Sequence, residues 1–357
     1  MVQELSRYAD VRVVGPKGAA ALAPQGVTVK ELPLKPLWRF LWGATVAALL
    51  ESSRFRPQVV LAGSGLTAPM AFLVAMVNRT SAVAYVHGLD LTVAHFIYRK
   101  VWVPAIRRMH RVIANSRATS ALVRSIDVDG SKIGVVPPGV ELPSVASNAE
   151  AIGQFRKKYA LGDKAVLLSV GRLSERKGIL EFVTSALPLI VQRHPDVLLV
   201  IVGDVPRNAL HAQSQTPAAI KVAADQLGVG GHVRFLGNIS DSELQVAFDT
   251  SAVHVFPIRQ LSNDPEGFGM VAIEAAAHGV PSVAFAVGGV TDAVAEGRSG
   301  YLVNPDDYSA MADSVIEALT KKQSMNDSCR EFASQFAWST FGRRILAELK
   351  VVAPMSD

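Results

Sequence analysis

Residues 264–287 read DPEGFGMVAIEAAAHGVPSVAFAV, and this stretch passes from a turn to an apolar helix and then to a strand. Gly267 and Gly269 supply the turn. Short strands that alternate with helices are typical of a parallel sheet covered on both faces. The stretch therefore predicts an α/β fold of the doubly wound kind.

The same stretch brings two kinds of ligand-binding group into one small volume. Backbone N–H groups at the start of a helix bind phosphate, and the carboxylates of Glu266 and Glu274 can accept hydrogen bonds from sugar hydroxyls. Glu274 lies in an apolar segment, where a carboxylate is costly to bury without a partner. We therefore predict an anionic, hydroxyl-rich ligand such as a nucleotide sugar. The alternative is a capped helix with Glu274 at the surface.

The strand and helix pattern covers the chain and restarts after Pro137-Pro138-Gly139, with residues 143–152 predicted as a linker. We predict two Rossmann-like domains, at 1–143 and 144–339, and a terminal segment with a last helix at 340–357. Ligands of such sheets lie at the carboxyl ends of the strands. The predicted strands are Val11–Val14, Val27–Leu32, Val59–Ala62, Ala82–Val86, Val112–Ala114, Ile133–Val136, Ala165–Val170, Val197–Val202, Val233–Leu236, Ala252–Phe256, Ser282–Val287 and Tyr301–Val303.

The opening residues indicate that the first domain lacks its first strand. ELSRYADVRVVGP, at 4–16, predicts the end of a helix followed by the second strand. One strand, a Gly-rich turn and most of a helix amount to roughly 20 residues. We expect the N-terminus to be truncated; the alternative is a fold that begins late.

Composition and charge limit the class of protein. Hydrophobic residues make up 49% and charged residues 19% of 357, which suits large cores, and a single cysteine, Cys329, indicates a reducing cytoplasm. Residues 1–150 hold 17 Lys and Arg against 9 Asp and Glu, whereas the rest of the chain holds 19 against 22. A basic first half predicts an anionic partner such as a membrane surface. Nucleic acid is not expected, because no motif for it is present.

The apolar run at 59–77 reaches the length of a transmembrane helix. Gly63, Gly65 and Pro69 interrupt it, so we interpret the run as a buried strand, turn and helix. Met1 leads into a polar stretch, and no signal peptide is recognised.

Two further segments carry candidate site residues. In SVGRLSERKG, at 169–178, a strand ends and Gly171 turns the chain, so Arg172 and Lys177 can clamp a diphosphate; ordinary surface charges are the alternative. In AYVHGLD, at 84–90, His87 follows a strand directly, although a lone histidine is more often structural. No metal-ligand cluster with recognisable spacing is present, so no metal site is predicted.

These motifs together make the chain resemble the retaining, nucleotide-sugar-dependent glycosyltransferases of the GT-B fold, in family 4, group 1. The matching segments are VGRLSERKG, VGD at 202–204, VRFLG at 233–237, EGFGMVAIEAAAHGVPSVAFAVGGVTDAV at 266–294 and, more weakly, VHGLD, IANS and VVPPGV in the first half.

The resemblance implies a role for each matched residue. Arg172 and Lys177, in the loop that begins with Gly171, would neutralise the donor diphosphate; Glu266 would contact the transferred sugar; and Glu274 would hold the ribose hydroxyls. His87 would lie near the anomeric centre. The remaining donor-binding positions, supplied by the base-proximal strand end and by backbone at the start of the helix, would be Leu236, Gly267, Phe268, Gly269, Met270 and Val271.

The resemblance also implies the reaction. A metal-independent hexosyltransferase would move a sugar with retention, without a cofactor and without a protein nucleophile, from a nucleotide sugar, with GDP-mannose favoured, to a lipid-linked or polysaccharide acceptor of the cell envelope. The N-terminal domain would bind the acceptor, the C-terminal domain would bind the donor, and the last helix would cross back to the first domain. The Gly-rich loop of the family's first domain has no counterpart in this sequence, which puts activity in doubt.

Two segments predict contact with a membrane at its inner face. KPLWRFLWGATVAALL, at 35–50, is aromatic and basic, and YRKVWVPAIRRMHR, at 98–111, carries five Arg and Lys and no acidic residue. Such composition fits an interfacial helix; the alternative is a helix that only covers the sheet.

Two other functions stay open at this point. A sugar-nucleotide epimerase of the same fold would need acid–base groups such as His87 and Asp90, and a truncated homologue would bind nucleotide sugar without turnover.

Overall fold

The computed structural model describes residues 1–93, 95–205, 215–261 and 264–353. The chain forms two compact units. One unit comprises Met1–Gly139 and Trp338–Asp357, and the other comprises Val140–Ala337. The predicted domain boundaries, after 143 and 339, lie a few residues further along the chain.

All the paired strands of the described residues are parallel. Their bounds are β1 Arg12–Pro16, β2 Thr28–Leu32, β3 Val59–Ala62, β4 Ser81–Val86, β5 Arg111–Ala114, β6 Ile133–Val135, β7 Ala165–Val170, β8 Val197–Val202, β9 Val233–Gly237, β10 Val253–Phe256, β11 Ser282–Phe285 and β12 Gly300–Val303.

Helices connect these strands. Their bounds are α1 Val2–Leu5, α2 Leu37–Phe55, α3 Ala68–Asn78, α4 Leu89–Thr92, α5 Phe96–Arg107, α6 Arg117–Ser125, α7 Ala149–Lys158, α8 Ile179–Glu181, α9 Leu187–Arg193, α10 Pro217–Gln226, α11 Asp241–Thr250, α12 Met270–Ala277, α13 Val290–Ala293, α14 Tyr308–Ser334 and α15 Trp338–Lys350, with a π-helical turn at Phe182–Ala186 between α8 and α9.

The first unit contains a four-stranded sheet in the order β3-β4-β5-β6 and a separate pair, β1-β2. Successive side chains of a strand point to opposite faces. Ala82 and Ala84 of β4 accordingly share one core with Ala71 of α3. Tyr85 of the same strand packs in the other core with Phe341 of α15. The last helix therefore covers one face of the sheet in this unit.

The second unit contains one six-stranded sheet, in the order β12-β11-β10-β7-β8-β9. Leu167 of β7 belongs to the core on one face, and Val166 and Leu168 belong to the core on the other. Both faces are thus buried, as in a doubly wound sheet. Because β10, β7, β8 and β9 are neighbours, their carboxyl ends meet at one edge of the sheet.

The predicted α/β architecture is confirmed. Each of the twelve predicted strands is present, and its ends differ from the prediction by two residues or fewer. The run at 59–77 forms β3 and α3. Within the described residues no helix combines the length and the apolar character that crossing a membrane requires.

Two sequence interpretations are wrong. The predicted linker at 143–152 contains the start of α7, because the side chain of Asn148 accepts a hydrogen bond from the backbone N–H of Ala151 and caps the helix. The sequence also predicts a helix at 307–320; in the structure this helix continues to Ser334, since Met325, Cys329 and Phe332 extend its buried face.

Candidate active site

Two glycines fold the loop after β7 tightly at the carboxyl edge of the second sheet. Gly171 has a φ of +145°, and Gly178 has a φ of +65°. A Cβ at Gly178 would lie 2.0 Å from the carbonyl oxygen of Pro257, so only glycine fits there. The 3₁₀ turn Glu175–Lys177 lies between the two glycines and brings the side chain of Lys177 back beside Gly171.

Lys177 and Glu266 form the centre of the site. Lys177 Nζ lies 3.1 Å from Glu266 Oε2, and the guanidinium of Arg176 pairs with the same carboxylate. Arg176 Nε also donates to Asp264 Oδ2 at 2.9 Å. Burial lowers the pKa of the Lys177 ammonium, and the charge of Glu266 acts in the opposite direction. The result is a half-buried group of two cations and two carboxylates that can exchange partners with a charged ligand.

The segment that carries Glu266 is held by a pair of glycines. The N–H of Gly289 donates to the carbonyl of Glu266 at 2.9 Å. A Cβ at Gly289 would lie 2.1 Å from the carbonyl oxygen of Gly267. Gly288 and Gly289 therefore permit their own backbone to approach the backbone of Glu266 and Gly267 closely. This contact holds Glu266 in position at the edge of the sheet.

The next residues open α12 with free amides. Gly269 has a φ of +93° and occupies the N-cap position, and no side chain caps the helix. Backbone N–H groups in the first turn, from Met270 and Val271, lie at the positive end of the helix dipole. The side chain of Phe268 is buried against Phe336, with ring centroids 5.7 Å apart, so this residue can offer a ligand only its backbone.

Glu274 lies on α12 one turn before His278. Burial raises the pKa of Glu274, and the neighbouring His278 opposes that effect. His278 Nδ1 lies 2.7 Å from Asp249 Oδ1, and its ring stacks on Phe248 at 5.2 Å. Asp249 also accepts a hydrogen bond of 2.7 Å from the N–H of Ser147. The helix that carries Glu274 is thereby fastened to α11 and to the chain that enters this unit.

A cavity of about 430 Å³ opens beside the loop that carries Lys177, at the carboxyl ends of β7, β8 and β9. Gly171 and the exposed Arg172 line it together with Gly203 and Asn238. Leu236 packs against the core under the cavity, and Asn238, two residues later, reaches its wall. The loop after β7 and the segment that follows the predicted base-proximal strand end at Leu236 therefore border the same cavity at one edge of the sheet.

His87 lies in the first unit and makes its hydrogen bonds to residues of that unit. Its exposed ring places Nε2 3.1 Å from the carbonyl oxygen of Gly63, and its backbone N–H donates to Asp90 Oδ2 at 3.1 Å. Asp90 therefore shapes the loop after β4. The role of His87 that was predicted from the sequence stays a prediction.

Sequence reasoning missed Arg176. The residue is buried, at 8% relative exposure, although it stands in a run of charged residues that resembles a surface loop. Its position next to Lys177 was the available signal, but a 3₁₀ turn has to form before both side chains point to one carboxylate. Arg176 is a positioning residue, because it holds Glu266 from one side and Asp264 from the other.

For the sugar transfer that the resemblance implies, we expect Arg176→Ala to lower kcat/KM about tenfold, because a hydrogen bond to a charged group contributes roughly 1.5 kcal/mol. The effect should fall on kcat, with little change in the KM for a nucleotide diphosphate sugar, and Arg176→Lys should restore part of it. Arg193→Ala, which removes an exposed ion pair with Asp313 at 2.6 Å in the same unit, is the matched control. Equal losses in the two alanine variants would contradict the positioning role.

Within the described ranges, no group of three or more His, Cys, Asp or Glu side chains is arranged to hold a metal ion. The positive charge that the structure places at the site comes from Arg172, Arg176 and Lys177.

Two family models match the chain. Residues 152–336 match the model described as glycosyl transferases group 1, and residues 1–143 match the model described as glycosyltransferase family 4. A GDP-mannose-dependent alpha-(1-6)-phosphatidylinositol monomannoside mannosyltransferase from Mycolicibacterium smegmatis is 30% identical over 98% of this chain and 92% of its own length. A D-inositol 3-phosphate glycosyltransferase from Corynebacterium urealyticum is 30% identical over 69% of this chain and 58% of its own length.

Solved structures share the fold. Anabaena HepE in complex with UDP has a TM-score of 0.80 and 22% identity, covering 98% of this chain and 94% of that one. A glycosyltransferase from Rickettsia africae has a TM-score of 0.81 and 18% identity, covering 99% and 94%. At these identities the likeness concerns the fold alone.

Proposed function

Because this chain belongs to the group 1 glycosyltransferases, we propose that it transfers a hexose from a nucleotide diphosphate sugar with retention of configuration. The observation that carries the proposal is the pair Lys177–Glu266 at the carboxyl end of β7, with the free amides of α12 beside it. The pair places a cation, which suits the diphosphate of a donor, next to a carboxylate, which suits the hydroxyls of its sugar.

The donor-binding roles follow from charge and position. Arg172 and Lys177 are proposed to hold the diphosphate, since both are cationic and border the loop at Gly171. Glu266 is proposed to accept hydrogen bonds from the hydroxyls of the transferred sugar. When the diphosphate engages Lys177, Arg176 keeps Glu266 in place.

The rest of the donor would occupy the neighbouring backbone and the cavity. The amides of Phe268 and Gly269, with those of Met270 and Val271, are proposed to support the donor at the start of α12. Glu274 is proposed to hold the ribose, and the segment at Leu236–Asn238 to border the base. A base of ordinary size fits a cavity of about 430 Å³.

The proposed chemistry needs no protein nucleophile. The acceptor hydroxyl attacks the anomeric carbon on the face from which the diphosphate departs, the bond from that carbon to the phosphate oxygen breaks, and the hydroxyl proton passes to the departing phosphate. Lys177 and Arg172 stabilise the negative charge that develops on this phosphate. We propose that the reaction is independent of metal ions, and an unchanged rate in the presence of a chelator would support this.

Mannose is the proposed sugar and GDP the proposed nucleotide. The support is the relative that is named as a GDP-mannose-dependent mannosyltransferase and matches nearly the whole chain. A lipid-linked acceptor is proposed on the same ground, since that relative is named for a phosphatidylinositol monomannoside. A polysaccharide acceptor and a cytoplasmic location at the inner face of the membrane are proposed from the sequence alone.

We expect GDP-mannose to raise the melting temperature more than UDP-glucose or UDP-N-acetylglucosamine does. A ligand that binds only the native state adds about 2.7 kcal/mol to the free energy of unfolding at a hundredfold excess over its Kd. Differential scanning fluorimetry measures the shift, and release of GDP in the presence of acceptor measures turnover. A shift with GDP-mannose but no GDP release would leave only a nucleotide-sugar binder. A shift with none of the three would contradict the donor class.

A further inference from the structure

The segment that follows β10 packs against the 3₁₀ turn of the active-site loop. The carbonyl oxygen of Pro257 occupies the space that a side chain at Gly178 would need. The backbone N–H of Arg259 donates to the carbonyl oxygen of Arg176 at 2.8 Å. Ile258, between Pro257 and Arg259, is fully buried in the core of the second unit. The segment therefore has a fixed place from which it can hold the turn.

The guanidinium of Arg259 joins two carboxylates that lie on opposite sides of Gly178 in the chain. Its Nη1 lies 3.1 Å from Oε1 of Glu175, the first residue of the 3₁₀ turn, and 2.7 Å from Oε1 of Glu181, the last residue of α8. Two carboxylates that share one nitrogen are close enough to repel each other when the cation is removed. We call this arrangement the Arg259 bridge, and it ties the turn to α8.

The α8 end of the Arg259 bridge is itself fixed. Gln215 Nε2 donates to Oε2 of Glu181 at 2.7 Å, and the backbone N–H of Leu180 donates to Oε1 of Gln215 at 3.0 Å. Gln215 is buried, and an amide that is hydrogen-bonded through both its nitrogen and its oxygen has a defined orientation. The side chains of Arg259 and Glu181 are 29% and 26% exposed. Salt screens such a partly buried ion pair less than a fully exposed one.

The three residues of the turn divide their contacts between two partners. Glu175 pairs with Arg259, whereas Arg176 and Lys177 pair with Glu266. Arg259 therefore acts on Lys177 through the backbone of Arg176 and the side chain of Glu175.

We propose that Arg259 is a positioning residue for sugar transfer, because the Arg259 bridge sets where the turn presents the Lys177 ammonium to the donor diphosphate. The inference rests on the proposed function, which assigns the diphosphate to Lys177. A displacement of about 1 Å at a reacting site can lower the rate about a hundredfold. A turn that has lost the bridge should therefore lower kcat more than it weakens donor binding.

Hydrogen–deuterium exchange of the full chain tests the proposal together with kinetics. The amides of Lys177 and Gly178 donate within the turn to the carbonyls of Ser174 and Glu175, at 2.9 and 3.1 Å, so they exchange when the turn opens. In Arg259→Ala these amides should exchange about tenfold faster, because hydrogen bonds between charged groups are lost. The value of kcat for GDP release should fall about tenfold, with a smaller change in the KM for GDP-mannose. Arg259→Lys should restore part of both effects.

Arg298→Ala is the matched control. It removes the same charge from the second unit, and Arg298 pairs only at the surface, with Glu331 at 3.4 Å. The turn should exchange at the wild-type rate in this variant. Exchange of the turn that is no faster in Arg259→Ala than in Arg298→Ala would overturn the proposal, as would faster exchange with a wild-type kcat.

A double variant tests whether Glu175 is the link. Glu175→Gln in the Arg259→Ala background removes the repulsion between the two carboxylates, so the turn should exchange more slowly than in Arg259→Ala alone. Faster exchange in the double variant would overturn the bridge. If Arg259→Ala does not fold, Glu175→Gln alone, which leaves Arg259 paired with Glu181, should show the same effects at smaller size.

The exchange measurement needs no donor, which separates the two proposals. Wild-type protein that releases no GDP in the presence of acceptor would contradict the proposed function, and the exchange rates alone would then decide whether Arg259 holds the turn. Turnover in the wild type with unaltered exchange and kcat in Arg259→Ala would overturn the role of Arg259 and leave the proposed function in place.

Discussion

Lys177→Ala should abolish sugar transfer and leave the fold intact. Lys177 is one of the two cations that pair with Glu266 beyond the end of β7, and its ammonium would balance the charge of the departing phosphate. Removal of one preorganised group of this kind lowers kcat on the order of a thousandfold. The fold should survive because Arg176 remains paired with Glu266 and keeps the half-buried carboxylate from being left without a cation.

Nucleoside diphosphate release measures the rate, and thermal unfolding measures the fold. Lys221→Ala is the control, because Lys221 is an exposed lysine on α10 of the same unit. We expect its kcat/KM to equal that of the wild type. A Lys177→Ala enzyme with wild-type turnover would refute the assignment of Lys177 to the diphosphate.

Gly289→Ala should impair both stability and transfer. The added Cβ would lie 2.1 Å from the carbonyl oxygen of Gly267 and 2.6 Å from the Cα of Phe268. Both contacts are with backbone, so no side chain can swing away, and the two segments have to separate. Forced overpacking of this kind lowers the free energy of unfolding by roughly 1–3 kcal/mol. The hydrogen bond from Gly289 to Glu266 would lengthen, so the carboxylate should move away from Lys177.

Urea unfolding and a donor titration measure the two effects. Gly231→Ala is the matched control, because a Cβ at Gly231 would meet no atom within 4 Å. The prediction for Gly289 would fail if both variants unfolded at the same urea concentration and bound GDP-mannose equally well.

The donor-binding motifs show how far local sequence reaches. The stretch at 264–287 indicated a turn, a helix and a strand, and these elements formed because glycine, apolar periodicity and β-branched residues act locally. The same local signals placed Gly171, Lys177 and Glu266 at strand or helix ends. They could not show that both adjacent basic residues, Arg176 and Lys177, would pair with Glu266. That pairing requires the 3₁₀ turn, which brings the two side chains to one side.

The glycine pair at 288–289 illustrates the same limit. From the sequence, two glycines after a strand predict either a plain turn or a close approach of the backbone to a ligand. The structure places Gly289 against the backbone of Gly267, a residue distant in sequence, and this contact depends on the packing of α12 against β10 and β11. The exposure of Trp38 and Trp42 is likewise a tertiary property, since it depends on which side of α2 the neighbouring helix covers.

By itself the sequence determined the α/β class, the positions of the strands and the residues expected to contact a nucleotide sugar, because periodicity, turn chemistry and motif spacing are properties of short segments. Only the tertiary structure decided that Arg176 holds Glu266 together with Lys177, that Gly289 fixes the loop of Glu266, and that Trp38 and Trp42 of α2 are left exposed. Each of these depends on which distant segments pack together, and that choice is made by burial of the whole core.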